Sequence, residues 1–102
     1  MSFDFSKIDG FEWDKGNLEH IRKHDVGYKE CEDIFYNKPL LVSFDPDHSQ
    51  IEKRFRALGL TKKKRLLFLS FTIRSRRIRV ISARDQNKKE RRGIEKVGGE
   101  NK

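Results

Sequence analysis

The 102-residue sequence predicts an α+β fold: an antiparallel sheet with two N-terminal helices packed on one face and a basic C-terminal helix. Three observations carry it. Two apolar runs, Leu66 to Ile73 and Ile78 to Ala83, stand either side of the polar break Arg74-Ser75-Arg76-Arg77, as the arms of a hairpin do. Two upstream stretches, 17–24 and 28–36, place apolar side chains at helical spacing instead. Behind the hairpin, Asp85 to Arg92 is a polar, charged run entered through a polar cap, which reads as a helix.

In chain order, residues 1–10 are mixed and expected to be loose. Phe11-Glu12-Trp13 alternates two aromatics around a carboxylate and predicts a short strand. Asp14 is the N-cap of a first helix through Asn17 to His24, with Leu18 and Ile21 on its inner face. Asp25-Val26-Gly27 breaks the pattern. Tyr28, Cys31, Ile34 and Phe35 then mark a second helix, ended by Asn37-Lys38-Pro39. Leu40 to Phe44 is a strand candidate, and Asp45-Pro46-Asp47-His48-Ser49 is dense turn chemistry. Ile51 to Leu58 alternates as a strand with one charged face, and Gly59 to Lys64 leads into the hairpin. With Ser75 and Arg76 as its turn, Ile73 faces Ile78, Phe71 faces Val80 and Leu69 faces Ser82. On that register Arg79 and Arg84 point to opposite faces. The chain reads as one domain over 1–96 with a disordered tail over 97–102.

Charge is concentrated. Lys62 to Arg92 holds 13 Lys or Arg against two acids, a net of +11, whereas residues 1–61 carry 9 basic and 12 acidic side chains. Such a block is the electrostatic footprint of a protein that meets phosphate, against the alternative of a merely solvated basic face. The single Cys31 excludes an internal disulfide and fits a reducing compartment. No apolar run is long enough to span a bilayer, and MSFDFSKIDG lacks the layout of a signal peptide, so the expected location is cytoplasmic, with no membrane partner.

The ordered set Phe11-Glu12-Trp13-Asp14, Asn17, Lys23-His24, Glu30 and Ile34-Phe35 resembles the opening of the BrnT toxins. Downstream, His48-Ser49-Gln50, Glu52, Arg54, Ala57-Leu58-Gly59, Arg65-Leu66-Leu67, Phe71-Thr72, Arg79 to Arg84 and Lys89-Glu90-Arg91 continue the likeness over about residues 11–95. Asp25 stands where the family usually has Gly, and Gly93-Ile94 where it often has Tyr. Asp tolerates the left-handed conformation, so the turn should survive; no role of that Tyr carries over. The resemblance implies a RelE-like ribonuclease fold and translation inhibition through mRNA cleavage. It also implies neutralisation by a BrnA-type ribbon-helix-helix antitoxin, with operator DNA met only through that complex, as a dimer or heterotetramer. Two readings stay beside it: a non-catalytic nucleic-acid-binding or regulatory protein using the same hairpin, and a degenerate member that only binds its antitoxin.

Metal-free RNA cleavage turns the 2′-hydroxyl onto its own phosphate and needs proton transfer and cations around the phosphorane. His24, at a helix end, is the acid/base candidate, because an ordinary imidazole titrates near pH ~6.5; the alternative is a residue that stabilises the helix dipole. Glu52 is a second proton-transfer candidate, with a cross-strand ion pair as its alternative. Arg79 and Arg84 are the charge-stabilising candidates. Backbone phosphates fall to Lys23, Arg54, Lys88, Lys89, Arg91 and Arg92. His20 and His24 stand four apart, but Ile21, Arg22 and Lys23 between them lack the acid of a zincin motif, so neither a metal nor any cofactor is expected.

Overall fold

The computed structural model describes residues 4–100, with side chains described as far as Val97. A 3-10 turn at Phe5–Lys7 leads to β1 (Gly10–Phe11), α1 (Lys15–Arg22), α2 (Tyr28–Tyr36) and β2 (Leu41–Asp45). A second 3-10 turn, Pro46–His48, precedes β3 (Arg54–Leu60), β4 (Leu66–Arg74), β5 (Arg77–Asp85) and α3 (Lys88–Glu100). The sheet order is β1-β5-β4-β3-β2. Every neighbouring pair is antiparallel except β1, which runs parallel to β5. This is the α+β arrangement that the sequence predicts.

Local chemistry fixes the helices. Asp14 accepts from the Asn17 N–H at 3.1 Å, while Asn17 Oδ1 accepts from the Asp14 N–H at 2.8 Å, a reciprocal cap for α1. The buried Asn17 amide also donates to the carbonyls of Glu12 and Val80, at 2.9 and 3.1 Å, which joins α1 to β1 and β5. Between the helices Asp25 adopts φ 57°, so it does supply the left-handed turn. Glu30 accepts from the Gly27 N–H at 3.0 Å and caps α2.

Both helices lie on one face of the sheet. From the helices Ile21, Cys31, Ile34 and Phe35 enter the core, and from the strands Ala57, Leu69, Phe71 and Val80 meet them. Phe71 is the centre, packed edge-on against Phe35 at 5.3 Å and stacked with Phe55 at 5.5 Å. Burial among these side chains pushes the Cys31 thiol up to about 12, which removes it from nucleophilic chemistry.

Gly59 lets α2 approach the sheet this closely: a Cβ there would stand 2.7 Å from Ile34 Cβ. Gly59→Ala is expected to cost about 1–3 kcal/mol by overpacking. Gly93, in α3, has nothing within 4 Å of a Cβ, so Gly93→Ala should instead stabilise by about 0.5–1 kcal/mol. Urea unfolding of the two variants checks both signs; a neutral Gly59→Ala would mean that α2 does not pack this tightly.

Three expectations need correction. The turn is Ser75-Arg76, both at positive φ, and Ile73↔Ile78, Thr72↔Arg79 and Phe71↔Val80 pair as expected. Beyond them a β-bulge leaves Ile81 unopposed, so Leu69 pairs with Ala83 rather than Ser82, and Phe68 with Arg84. The extra residue turns the small apolar Ala83, fully buried, to the core where Ser82 would otherwise point. It also moves Arg84 onto the face that holds Arg79. Second, β3 starts at Arg54, not Ile51, because Ile51 is fully exposed and Lys53 O is held instead by Thr72 Oγ1 at 2.7 Å. Third, the first strand is Gly10–Phe11 and ends before Trp13, whose indole donates to Glu32 at 2.8 Å. α3 runs to Glu100, with the buried Ile94 holding it down; Asn101 and Lys102, the end of the expected tail, lie outside the described residues.

Candidate functional site

The helices leave the second face of the sheet to Arg54 and Arg56 of β3, Ser70, Thr72 and Arg74 of β4, and Arg77, Arg79 and Arg84 of β5, as strand alternation from the observed register dictates; Arg77, at the exposed start of β5, forms no ion pair among the described residues. Six guanidinium groups on one face would repel one another without counter-charges. Three of them have those. Arg74 holds Glu52 with Nε and Nη2, at 3.0 and 2.8 Å. Arg79 donates to Glu12 at 3.0 Å and Asp14 at 2.8 Å. Arg84 grips Glu90 at 2.8 and 3.0 Å and lies 4.1 Å above the Phe68 ring.

Arg54 and Arg56 differ. Neither forms an ion pair among the described residues. Among those residues Arg56 donates to the Phe44 carbonyl alone, at 3.2 Å, and Arg54 Nε is buried without a hydrogen-bond partner. Arg54 lines an open cleft of 320 Å³ with Asp47, His48, Gln50, Ile51 and Glu52. An unpaired guanidinium at a cleft is a ready site for an anion.

The turn that shapes this cleft is tied down at both ends. Ser49 Oγ donates to the Asp45 carbonyl and accepts from the Arg54 N–H at 2.9 Å, which closes the β2–β3 connection. Within it, His48 Nδ1 stands 2.8 Å from Asp45 Oδ2. Burial pushes the Asp45 carboxyl up, but the hydrogen bond from His48 and the nearby charges of His48 and Arg56 outweigh it and hold the group below the usual carboxylate range. His48 itself is 65% exposed. The carboxylate fixes the imidazole so that Nε2 is the nitrogen left for other partners.

The structure brings Glu52, Arg54 and Arg79 to this hairpin end of the face. Glu52 is in the ion pair that was its alternative reading, and its hydrogen bond to Arg74 lowers its pKa. It does not bring His24 there. The His24 carbonyl accepts from Arg65, just before β4, whereas Glu52 is held by Arg74, nine residues on. At ~3.3 Å per residue those anchors stand roughly 30 Å apart. Arg84, Lys88 and Lys89 also lie toward the Arg65 end of β5 or beyond it, and Lys23 follows α1 on the helical side of the sheet. Lys88, Lys89 and Arg92 are exposed, without ion pairs among the described residues, while Arg91 Nε donates to the Gln86 carbonyl at 3.2 Å. Sequence reading missed Asp45 and His48, which pass as turn residues. The available signal was their spacing of three, within hydrogen-bond reach across a single turn.

Arginine at the other end of β4 has a structural part. Arg65 Nε donates to Asp85 at 2.8 Å and Nη1 to Glu30 at 3.1 Å and to the Asp25 carbonyl at 2.8 Å. Its hydrogen bond holds the Asp85 carboxyl below the ordinary range. Hydrogen bonds from Arg79 and Asn17 do the same for Asp14. Burial raises Glu90, but bonds from Arg84 and Asn87 bring it below its ordinary value.

These carboxyls titrate at 3.8 and 4.5 when unperturbed, so below those values the unfolded chain binds protons that the folded protein resists. The ion pairs therefore contribute their full stability above about pH 5 and lose it as pH falls through and below 4. The urea midpoint should be flat from pH 7 to about 5 and then drop; a midpoint unchanged at pH 3 would mean that the pairs contribute nothing.

Among the described residues no group of three or more His, Cys, Asp or Glu is placed to hold a metal ion, and no helix is long and apolar enough to cross a membrane. Residues 13–90 match a family model described as a ribonuclease toxin, BrnT, of type II toxin-antitoxin system. No curated protein matches the chain.

Proposed function

The chain belongs to the BrnT family of ribonuclease toxins of type II toxin–antitoxin systems, and we propose that it cleaves messenger RNA without a metal ion, on the open face of its sheet, and so inhibits translation. The observation that carries this reading is the Arg54–Arg56 couple beside the cleft, without an ion pair among the described residues, on a face where Arg74, Arg79 and Arg84 are neutralised. A phosphate seated there would take hydrogen bonds from two guanidinium groups that never deprotonate, and the charge of the phosphorane would be stabilised where it develops. Arg74, Arg79 and Arg84 shape the face and hold the elements around it, while Lys88, Lys89 and Arg92 offer further contacts to backbone phosphates along the strand. In this reading the fold is RelE-like and the protein acts in the cytoplasm. A BrnA-type ribbon-helix-helix antitoxin covers the basic face, in a heterotetramer that alone meets operator DNA.

The test uses the purified protein, with and without ribosomes, on RNA in the presence of EDTA. Cleavage to 2′,3′-cyclic phosphate ends is expected, and none where the scissile ribose is 2′-deoxy. Tight binding of RNA without cleavage under either condition would favour the non-catalytic nucleic-acid-binding reading instead.

A further inference from the structure

We propose that His48 is the catalytic base of this cleavage and that Asp45 is its positioning residue; the inference rests on the ribonuclease reading above. His48 has the geometry of an oriented base. Its Nδ1 is committed to a buried carboxylate 2.8 Å away, its ring is largely exposed, and it lines the same cleft as the unpartnered Arg54 Nε. A carboxylate at this position can only accept, so the tautomer that fits it places the proton on Nδ1 and the lone pair of the neutral ring on Nε2. The Ser49 bonds to Asp45 and Arg54 hold the three groups in one frame.

The other titratable groups are less suited. Glu52, in the cleft, is engaged by Arg74 and acidified by it, so it is a weak base. Asp47 lies on the same turn as His48, and the cations facing this end are Arg54 and Arg56 from β3. His24 stands at the far end of the sheet, with no anion-holding arginine beside it, since Arg65 is consumed by Glu30 and Asp85.

The step balances without a further reagent other than water. Nε2 of His48 takes the proton of the ribose 2′-hydroxyl, the O2′–P bond forms and the P–O5′ bond breaks. The departing 5′-oxygen takes a proton from a water molecule, and the hydroxide left is neutralised by the proton that His48 then releases. The products are a 2′,3′-cyclic phosphate and a 5′-hydroxyl end.

His48→Gln should lower the cleavage rate by about 10²- to 10⁴-fold, the usual contribution of a positioned base, with thermal midpoint and RNA affinity nearly unchanged. The wild-type rate should fall toward acid pH, where a protonated imidazole cannot accept the 2′-hydroxyl proton, and the residual rate of the variant should not. Asp45→Asn should lower the rate less and distort that profile, and His48→Ala should regain cleavage with added imidazole. Full cleavage by folded His48→Gln, or loss in His24→Gln alone, would overturn the assignment while leaving the ribonuclease reading intact. Wild-type protein that cleaves no RNA, with or without ribosomes, would overturn both.

Discussion

Arg54→Gln combined with Arg56→Gln is expected to lower RNA cleavage by about 10³-fold, with the thermal midpoint almost unmoved. Loss of a single preorganised donor to a developing oxyanion commonly costs about 10²- to 10³-fold, and here two charged donors go together. The fold should tolerate the change, since neither side chain forms an ion pair among the described residues and Arg54 Nε bonds to nothing. Arg79→Gln is the informative contrast. Arg79 is only 14% exposed and pairs with both Glu12 and Asp14, so its removal leaves Asp14 without its cation and Glu12 with only the more distant Arg74, at 3.9 Å. That variant should lose stability more than it loses turnover per folded molecule. Cleavage and thermal midpoint measured side by side separate the two effects. Should Arg79→Gln abolish cleavage by folded protein while the Arg54/Arg56 pair is dispensable, the phosphate would sit over β5, as the sequence alone suggests.

Arg65→Met should be the most destabilising exposed-end substitution, by about 2–3 kcal/mol, or roughly 10–20 °C for a domain of this size. One guanidinium serves the carboxylates of Glu30 and Asp85 and the carbonyls of His24 and Asp25, and so joins α2, the α1–α2 turn and the β5 end to the start of β4. Bonds to charged partners contribute more than neutral ones, but a side chain 26% exposed is partly screened, which keeps the expected loss below that of a fully buried pair. Urea midpoints of Arg65→Met, Glu30→Gln and the double variant give the coupling directly. Additive losses would show that Arg65 and Glu30 do not act together.

Much of the architecture was legible because it depends on neighbours in the chain. The period of Tyr28, Cys31, Ile34 and Phe35 specifies α2, the Asp14–Asn17 exchange caps α1, and Ser75-Arg76 makes the hairpin turn; each is settled within a few residues. The bulge at Ile81 was not legible. Local alternation is satisfied equally well with Ser82 or Ala83 inward, and only the packed core selects the alanine. That one residue of slip decides that Arg79 and Arg84 share a face.

Charge shows the same division more sharply. The sequence by itself determined that 13 cations and two acids fall between Lys62 and Arg92, and that the chain meets a polyanion is read from this block. Only the tertiary structure decided which of those cations remain available. Glu12, Asp14, Glu30 and Glu52, acids from residues 1–61, reach across to Arg79, Arg65 and Arg74, while two arginines outside the basic block, Arg54 and Arg56, form no ion pair among the described residues. The physical reason is range. Secondary structure answers to neighbours a few residues apart, whereas ion pairing answers to distance in space, and Arg79 lies 65 residues from the Asp14 that neutralises it.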